Sequence, residues 1–452
     1  MPPRTSLTPA QLAPLRSAIA RADKAIARTW PGRSADRQPI HVVYGGAHLY
    51  QANAARKLGD LALRALETYA PEAGDLTRAL NLSADAGMMR TVYARVVEKL
   101  RREPVEDQRI DFEDGYGHRP DAEEDGHAEH AALEMAKGLE AGTLPPFVGI
   151  RIKALTSELF PRATRTLDVF VSTLAKASRR RLPPHFVVTL PKVTRPEQVA
   201  VLVRMLGMLE KKHRLPSGAL KLELMIEMPQ ALLSEDGRVP LRALVAAGGG
   251  RCVAAHFGAY DYTAAMDVTA THQTMSHAAA DWARQMMQVA LAGTGVWVVD
   301  GATNVMPVGP HRAEKGETLT HEQLERNREV VFNAWRLAYR HIRNALVNGL
   351  YQGWDLHPAQ LPIRYAATYA FFLEGLPEAT ARLRAFLARA AQATRVNEIF
   401  DDAATGQGLL NFFLRGIACG ALTENDAREA GLSLEELRTR SFLAIVTARR
   451  KR

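Results

Sequence analysis

Six short apolar runs, each closing on a charged residue, constrain this chain more than any other feature. They read IDFED (110–114), VGIRIK (148–153), FVVTLPK (186–192), LELMIE (222–227), VAAHFGAYD (253–261) and VWVVD (296–300). Runs of this length, rich in Val, Ile and Leu and separated by helical stretches, describe parallel strands covered on both faces. When such strands close into a (β/α)8 barrel, their C-terminal ends converge on one face, and that face carries chemistry. Asp111, Glu113, Asp114, Arg151, Lys192, Glu227, Asp261 and Asp300 are therefore expected to line one pocket. So many charges in one cleft are costly unless a cation and an anionic ligand satisfy them.

The spacing supplies two further strands, IHVVYGG (40–46) and a short WDLHP (354–358). Helices are expected near 48–70 and 76–102, an insertion in the first βα unit. Others follow at 122–140, 162–180, 195–213, 239–247, 275–292 and 321–348. Beyond the eighth strand, 362–390, 402–419 and 423–448 read as helices. The expectation is an α/β protein. Residues 1–38 form a basic N-terminal helix and tail, 39–361 a TIM (β/α)8 barrel, and 362–452 a C-terminal all-helical cap. Gly248–Gly250 and Gly293–Gly295 precede strands, so they read as turns rather than phosphate cradles, which must follow a strand and open a helix.

The net charge of +9 raises the question of nucleic acid. Seven Lys or Arg against two Asp fall in residues 1–37, and four basic residues close the chain. Together these account for the whole excess, so the body between is neutral, which argues against a groove for a polyanion. No run approaches the ~20 apolar residues of a membrane span. The two cysteines imply neither a disulfide framework nor a zinc site. A cytoplasmic protein is expected.

Glu227 and Asp261 are the candidate metal ligands, because two carboxylates with waters and substrate oxygens suit Mg²⁺. Singly, either is equally well a solvated strand-end acid or a helix cap. Arg151 has the planar donors to fork onto a carboxylate, and it also has Glu113 and Asp114 as ion-pair partners. Lys192 either stabilises developing negative charge or neutralises the acids. His127 and His130, three apart, read as surface residues rather than zinc ligands. In IFDDAATGQGLLNFFLRG (399–416), Asp401 and Asp402 stand at a helix start, where capping accounts for one of them.

Seven of these segments, in order over residues 40–420, resemble the superfamily of citrate lyase β-subunits, HpcH/HpaI aldolases and malate synthases. IDFEDGY is similar to the LDLEDAV strand of that group, GIRIK to VRIN, TLPKV to LPKV and IEMPQAL to IETAxAL. FGAYDYTAAM is similar to the malate synthase GRWDYIF, WDLHPAQ to IHPxQ, and FDDAAT to the malate synthase MEDxAT. The resemblance implies Mg²⁺, with Mn²⁺ as an alternative, on Glu227 and Asp261. It makes Arg151 and Lys192 catalytic, puts Glu113 and Asp114 behind the metal, and makes Asp402 a base carried over the barrel mouth. It implies a small 2-oxo acid and a coenzyme A thioester as substrates, and a homo-oligomer as a candidate assembly. The thirty-four positions between Glu227 and Asp261 exceed the family spacing, and no coenzyme A site can be placed. The reaction implied is an Mg²⁺-dependent carbon–carbon lyase or synthase working through an enolate. Two alternatives stand beside it. One is a coenzyme A-independent metal aldolase releasing pyruvate or glyoxylate. The other is a non-catalytic binding protein on a barrel scaffold.

Overall fold

The computed structural model describes residues 6–32, 37–313, 317–392 and 403–450. All eight expected strands form: β1 (His41–Gly46), β2 (Asp107–Asp111), β3 (Phe147–Arg151), β4 (Phe186–Leu190), β5 (Lys221–Ile226), β6 (Cys252–Phe257), β7 (Trp297–Val299) and β8 (Gly353–Asp355). They pair in parallel in the order β7-β6-β5-β4-β3-β2-β1-β8. Closure between β7 and β8 rests on one bridge, Ala302 to Trp354, and on the Asp300 amide donating to the Gln352 carbonyl at 2.8 Å. The molecule is a TIM barrel with a C-terminal helical cap.

The first βα connection carries the expected insertion as three helices, Ala54–Tyr69, Ala73–Leu80 and Ala86–Arg102. The last is opened by Asp85, whose side chain accepts from the Met88 amide at 2.7 Å, a standard N-cap. The apolar faces of these helices pack with those of His321–Val347, Leu361–Gln392 and Ala403–Ala418 in one core outside the strands. A second core lies between β2–β6 and the helices that follow them. No helix among the described residues is long and apolar enough to cross a membrane.

The cap covers the flank and the foot of the barrel, the end where the strands begin. Gln407, Asn411 and Arg415 of Ala403–Ala418 line a cavity of about 750 Å³ with Gln38, just before β1, and Tyr351, just before β8. Arg415 donates to Gln38 at 2.6 Å. Both glycine clusters lie at this end as turns, with positive φ at Gly249, Gly250, Gly293 and Gly295.

The barrel interior is not purely apolar. Alternation along β2 points Asp107, Arg109 and Asp111 inward. Arg109, 1% exposed, donates through Nε to Glu223 of β5 at 2.9 Å and through Nη2 to Asp107 at 3.1 Å. Thr189 and His256 complete the surroundings of Glu223, at 2.9 and 3.3 Å. Gly149 of β3 stands beside Arg109 in register, and a Cβ there would clash with the Val187 carbonyl oxygen. Burial pushes the Asp107 carboxyl up to about 6, against the pull of Arg109. The same burial acts on Glu223, but Arg109 and His256 outweigh it and hold this carboxyl below its ordinary range.

Candidate active site

The strand ends bring seven of the eight expected charges together at the barrel mouth. Asp111, the last residue of β2, is fully buried and closes its own loop by accepting from the Glu113 and Gly115 amides at 3.0 and 2.8 Å. It also accepts from Arg151 Nε at 2.7 Å. Arg151, the last residue of β3, reaches Glu113 at 3.0 Å and Asp114 at 3.8 Å with its outer nitrogen. Burial alone would weaken the hold of Arg151 on its proton; Asp111 and Glu113 more than reverse that and raise its pKa. The guanidinium is thus fixed on three sides, with the Tyr44 ring 5.0 Å and the Trp354 ring 5.9 Å away.

Lys192 ties the two halves of the cluster together. It follows Pro191 after β4 in a left-handed conformation, φ 51°, which a lysine adopts at some cost. That turn aims its amide at Glu227 Oε1, 2.7 Å away, while its ammonium bonds Glu113 and lies 3.3 Å from Asp114 and 3.5 Å from Asp261. Burial would lower the lysine pKa, but Glu113, Glu227 and Asp114 together raise it. Burial likewise raises Glu113, whereas Arg151 and Lys192 overcome burial at the more exposed Asp114 and lower it.

Glu227, immediately after β5, is 2% exposed, and burial pushes its carboxyl up to about 8, with Asp261 adding to the effect against Lys192 and Arg151. Gly258 makes room for it: a Cβ there would stand 2.5 Å from Glu227 Oε2. Asp261 sits in the first turn of the helix Ala259–Ala264, with its side chain 41% exposed to the mouth. Next to it, Tyr260 fixes the β7 loop by donating to the Ala302 carbonyl at 2.6 Å.

Among the described residues no group of three or more His, Cys, Asp or Glu is placed to hold a metal ion. Glu227 and Asp261 instead offer two carboxylates around one cleft. Glu227 Oε1 takes the Lys192 amide, and Oε2 makes no hydrogen bond among the described residues. An all-oxygen pair left open to water and substrate fits Mg²⁺, which keeps part of its water shell. His127 does not join it; its Nδ1 meets the Tyr116 hydroxyl at 2.7 Å.

Two expectations need revision or lie elsewhere. Asp300 turns away from the mouth: it follows the inward Val299 and meets Arg284 of the helix Ala278–Leu291 at 3.2 Å. One residue of strand parity separates the two faces. Asp402 lies outside the described residues; the helix after it, Ala403–Ala418, packs at the foot rather than over the mouth. The apolar runs give no sign of Tyr44, whose buried hydroxyl has no partner among the described residues, or of Trp354, which donates to His256 at 3.1 Å. Counting alternate residues of HVVYGG and GWD would have placed both rings inside the barrel.

Over residues 19–445 the chain matches a family described as a domain of unknown function, DUF6986, and it belongs to that family. No curated protein matches it. Among solved structures it is similar to a citrate lyase of Burkholderia xenovorans LB400, with 20% identity and a TM-score of 0.51 over 75% of this chain and 92% of that one. A magnesium/glyoxylate complex of Haloferax volcanii malate synthase follows at 14% identity and a TM-score of 0.45, over 74% and 76% of the two chains. The citrate lyase beta subunit from M. tuberculosis, complexed with oxaloacetate and magnesium, shares 15% identity at a TM-score of 0.37, over 72% and 95%. These neighbours come from the group whose motifs the sequence resembles. The first likeness shows a common fold, and the other two are too distant in shape to add to it.

Proposed function

We propose that this DUF6986 protein is an Mg²⁺-dependent enzyme that makes or breaks a carbon–carbon bond through an enolate, acting on a small 2-oxo acid and an acyl-CoA. The observation that carries the reading is the meeting of a carboxylate pair, Glu227 and Asp261, with two cations, Arg151 and Lys192, at one barrel mouth. Glu227 and Asp261 would hold the cation, and Mn²⁺ would suit the same oxygens. When bound, the metal supplies Lewis-acid polarisation of a carbonyl beside a carboxylate.

The residues of the chain supply the rest. Arg151 is already locked by Asp111, so its remaining N–H groups can face a developing enolate or alkoxide oxygen without reorganising. Lys192 adds a second positive charge that can shift between Glu113 and an anionic substrate. Glu113 and Asp114 hold that ammonium in place and orient water in the mouth. In the condensing direction, Asp402 would take the proton from the acyl methyl group.

A second reading is favoured by one observation: the helix following Asp402 packs at the foot. The mouth charges also suit cleavage of a hydroxy-oxo acid to pyruvate or glyoxylate, a reaction that needs nothing from Asp402. There the hydroxyl gives its proton to water and becomes a carbonyl as the carbon–carbon bond breaks; the bond's electron pair becomes the enolate that Arg151 faces, which then takes a proton from water at carbon.

Thiol release from acetyl-CoA or propionyl-CoA with glyoxylate, with Mg²⁺ and with EDTA, separates the two. Release that needs all three components supports the first reading, and pyruvate or glyoxylate formed without any thioester supports the second. Under either, Glu227→Gln is expected to lose at least about 100-fold in activity together with its Mg²⁺ dependence, while melting like the parent. Full activity in that variant would sink the metal assignment.

A further inference from the structure

The N-terminal helix Pro9–Thr29 is the one long helix of the described residues with no buried residue. It is well begun: Thr8 and Gln11 form a reciprocal capping box. It is held to the barrel at its last turn and just beyond. Trp30 stacks on Arg242 at 4.1 Å, and the Gly32 amide donates to the Gly293 carbonyl at 2.9 Å. Leu12, Leu15, Ile19 and Ile26 are nevertheless 42–64% exposed to water.

Their spacing is ordered. With Ala22 they recur at intervals of three, four, three and four, so Leu12, Ile19 and Ile26 take the first position of a heptad and Leu15 and Ala22 the fourth. A repeat of 3.5 makes a narrow seam that fits one partner helix, whereas a helix lying on a lipid surface presents a broad face with bulky or aromatic residues. Arg16 and Asp23 share the position just after the fourth, on one flank of the seam. In an antiparallel pair of identical helices that flank faces itself. Leu15 then packs on Ile26 of the second copy and Ile19 on its Ala22, which brings Arg16 opposite Asp23 twice. A parallel pair would leave these two charges without each other.

We propose that the helix Pro9–Thr29 is a self-association element that pairs antiparallel with the same helix of a second copy. The seam is self-complementary in shape and in charge, as a twofold contact requires. Its anchor lies at the barrel foot, so the pairing leaves the mouth open and is independent of the proposed reaction.

Light scattering on the full-length chain tests this. The wild type is expected to show twice the chain mass at micromolar concentration. Ile19→Asp, which puts a charge into the seam, is expected to weaken the dimer at least about 100-fold with an unchanged melting temperature of the barrel. Arg16→Glu is expected to weaken it roughly 10-fold, and adding Asp23→Arg to restore it. A monomeric wild type overturns the proposal, as does a dimer untouched by Ile19→Asp. A charge swap that fails to restore the dimer overturns the antiparallel arrangement. Binding of a monomeric chain to anionic vesicles through this helix assigns the seam to lipid and also overturns it.

Discussion

The mouth and the interior of this barrel each hold an arginine between two carboxylates, and the two do different things. Arg109 lies between Asp107 and Glu223, and every group in that set is buried and spoken for by another. Arg151 lies between Asp111 and Glu113, but its set opens outward through Lys192, Asp114 and Asp261, whose side chains are 30–58% exposed. Charges taken up by one another in this way hold strands in place. An open set has groups left over for a ligand. Arg109 thus reads as scaffold, while Arg151 and Lys192 keep the open groups that the proposed reaction needs, although the sequence writes both as charge on a strand.

The sharpest way to break this contrast is Arg109→Met. It strands Asp107 and Glu223 without their cation, and the expected loss is about 3–5 kcal/mol in urea unfolding. An unchanged midpoint would mean that the interior network is not scaffolding. Lys192→Met is the opposite case. Its ammonium is part-exposed, so unfolding free energy is expected to move by no more than ~1 kcal/mol, while turnover falls about 100-fold. A stability loss as large as that of Arg109→Met would erase the distinction.

The smallest effect concerns the foot. Burial would raise the Glu103 carboxyl, but Arg37 and Lys99 overcome it and hold it at about 2. The folded value lies below the unfolded one near 4.5, so its contribution is complete above pH ~4.5 and is lost as pH falls towards ~2. With the side chain a quarter exposed, about 1 kcal/mol is expected over that window. In Glu103→Gln this part of the acid slope should flatten; an identical slope would assign it to other carboxylates.

Apolar runs made the eight strands legible, because a parallel strand buried on both faces has to be apolar along its length. They hid what the inner face carries. DQRID shows charges at every second residue, 107, 109 and 111, and that period places them inside the barrel, whereas the apolar run IDFED holds only Asp111 of the three. Glu223 and His256 sit in the middle of apolar runs, where their neighbours give no sign of a charged inner face. The same parity would have excluded Asp300, since it follows the inward Val299. Glu227 and Asp261 were legible because both stand just past a strand end. Lys192 was legible as a charge, but its left-handed turn, which lets one residue reach both Glu113 and Glu227, has no signature in TLPK.

The short strands β7 and β8 give the ring a seam, fastened by little more than one bridge. The residues assigned to the mouth come from β2 to β6 and the segments directly after them, the middle of the strip rather than its ends. In mechanical terms the barrel is a cuff with its clasp on the far side from its setting. A sprung clasp would reach the setting through Tyr260, tied to Ala302, and through Trp354, beside Arg151.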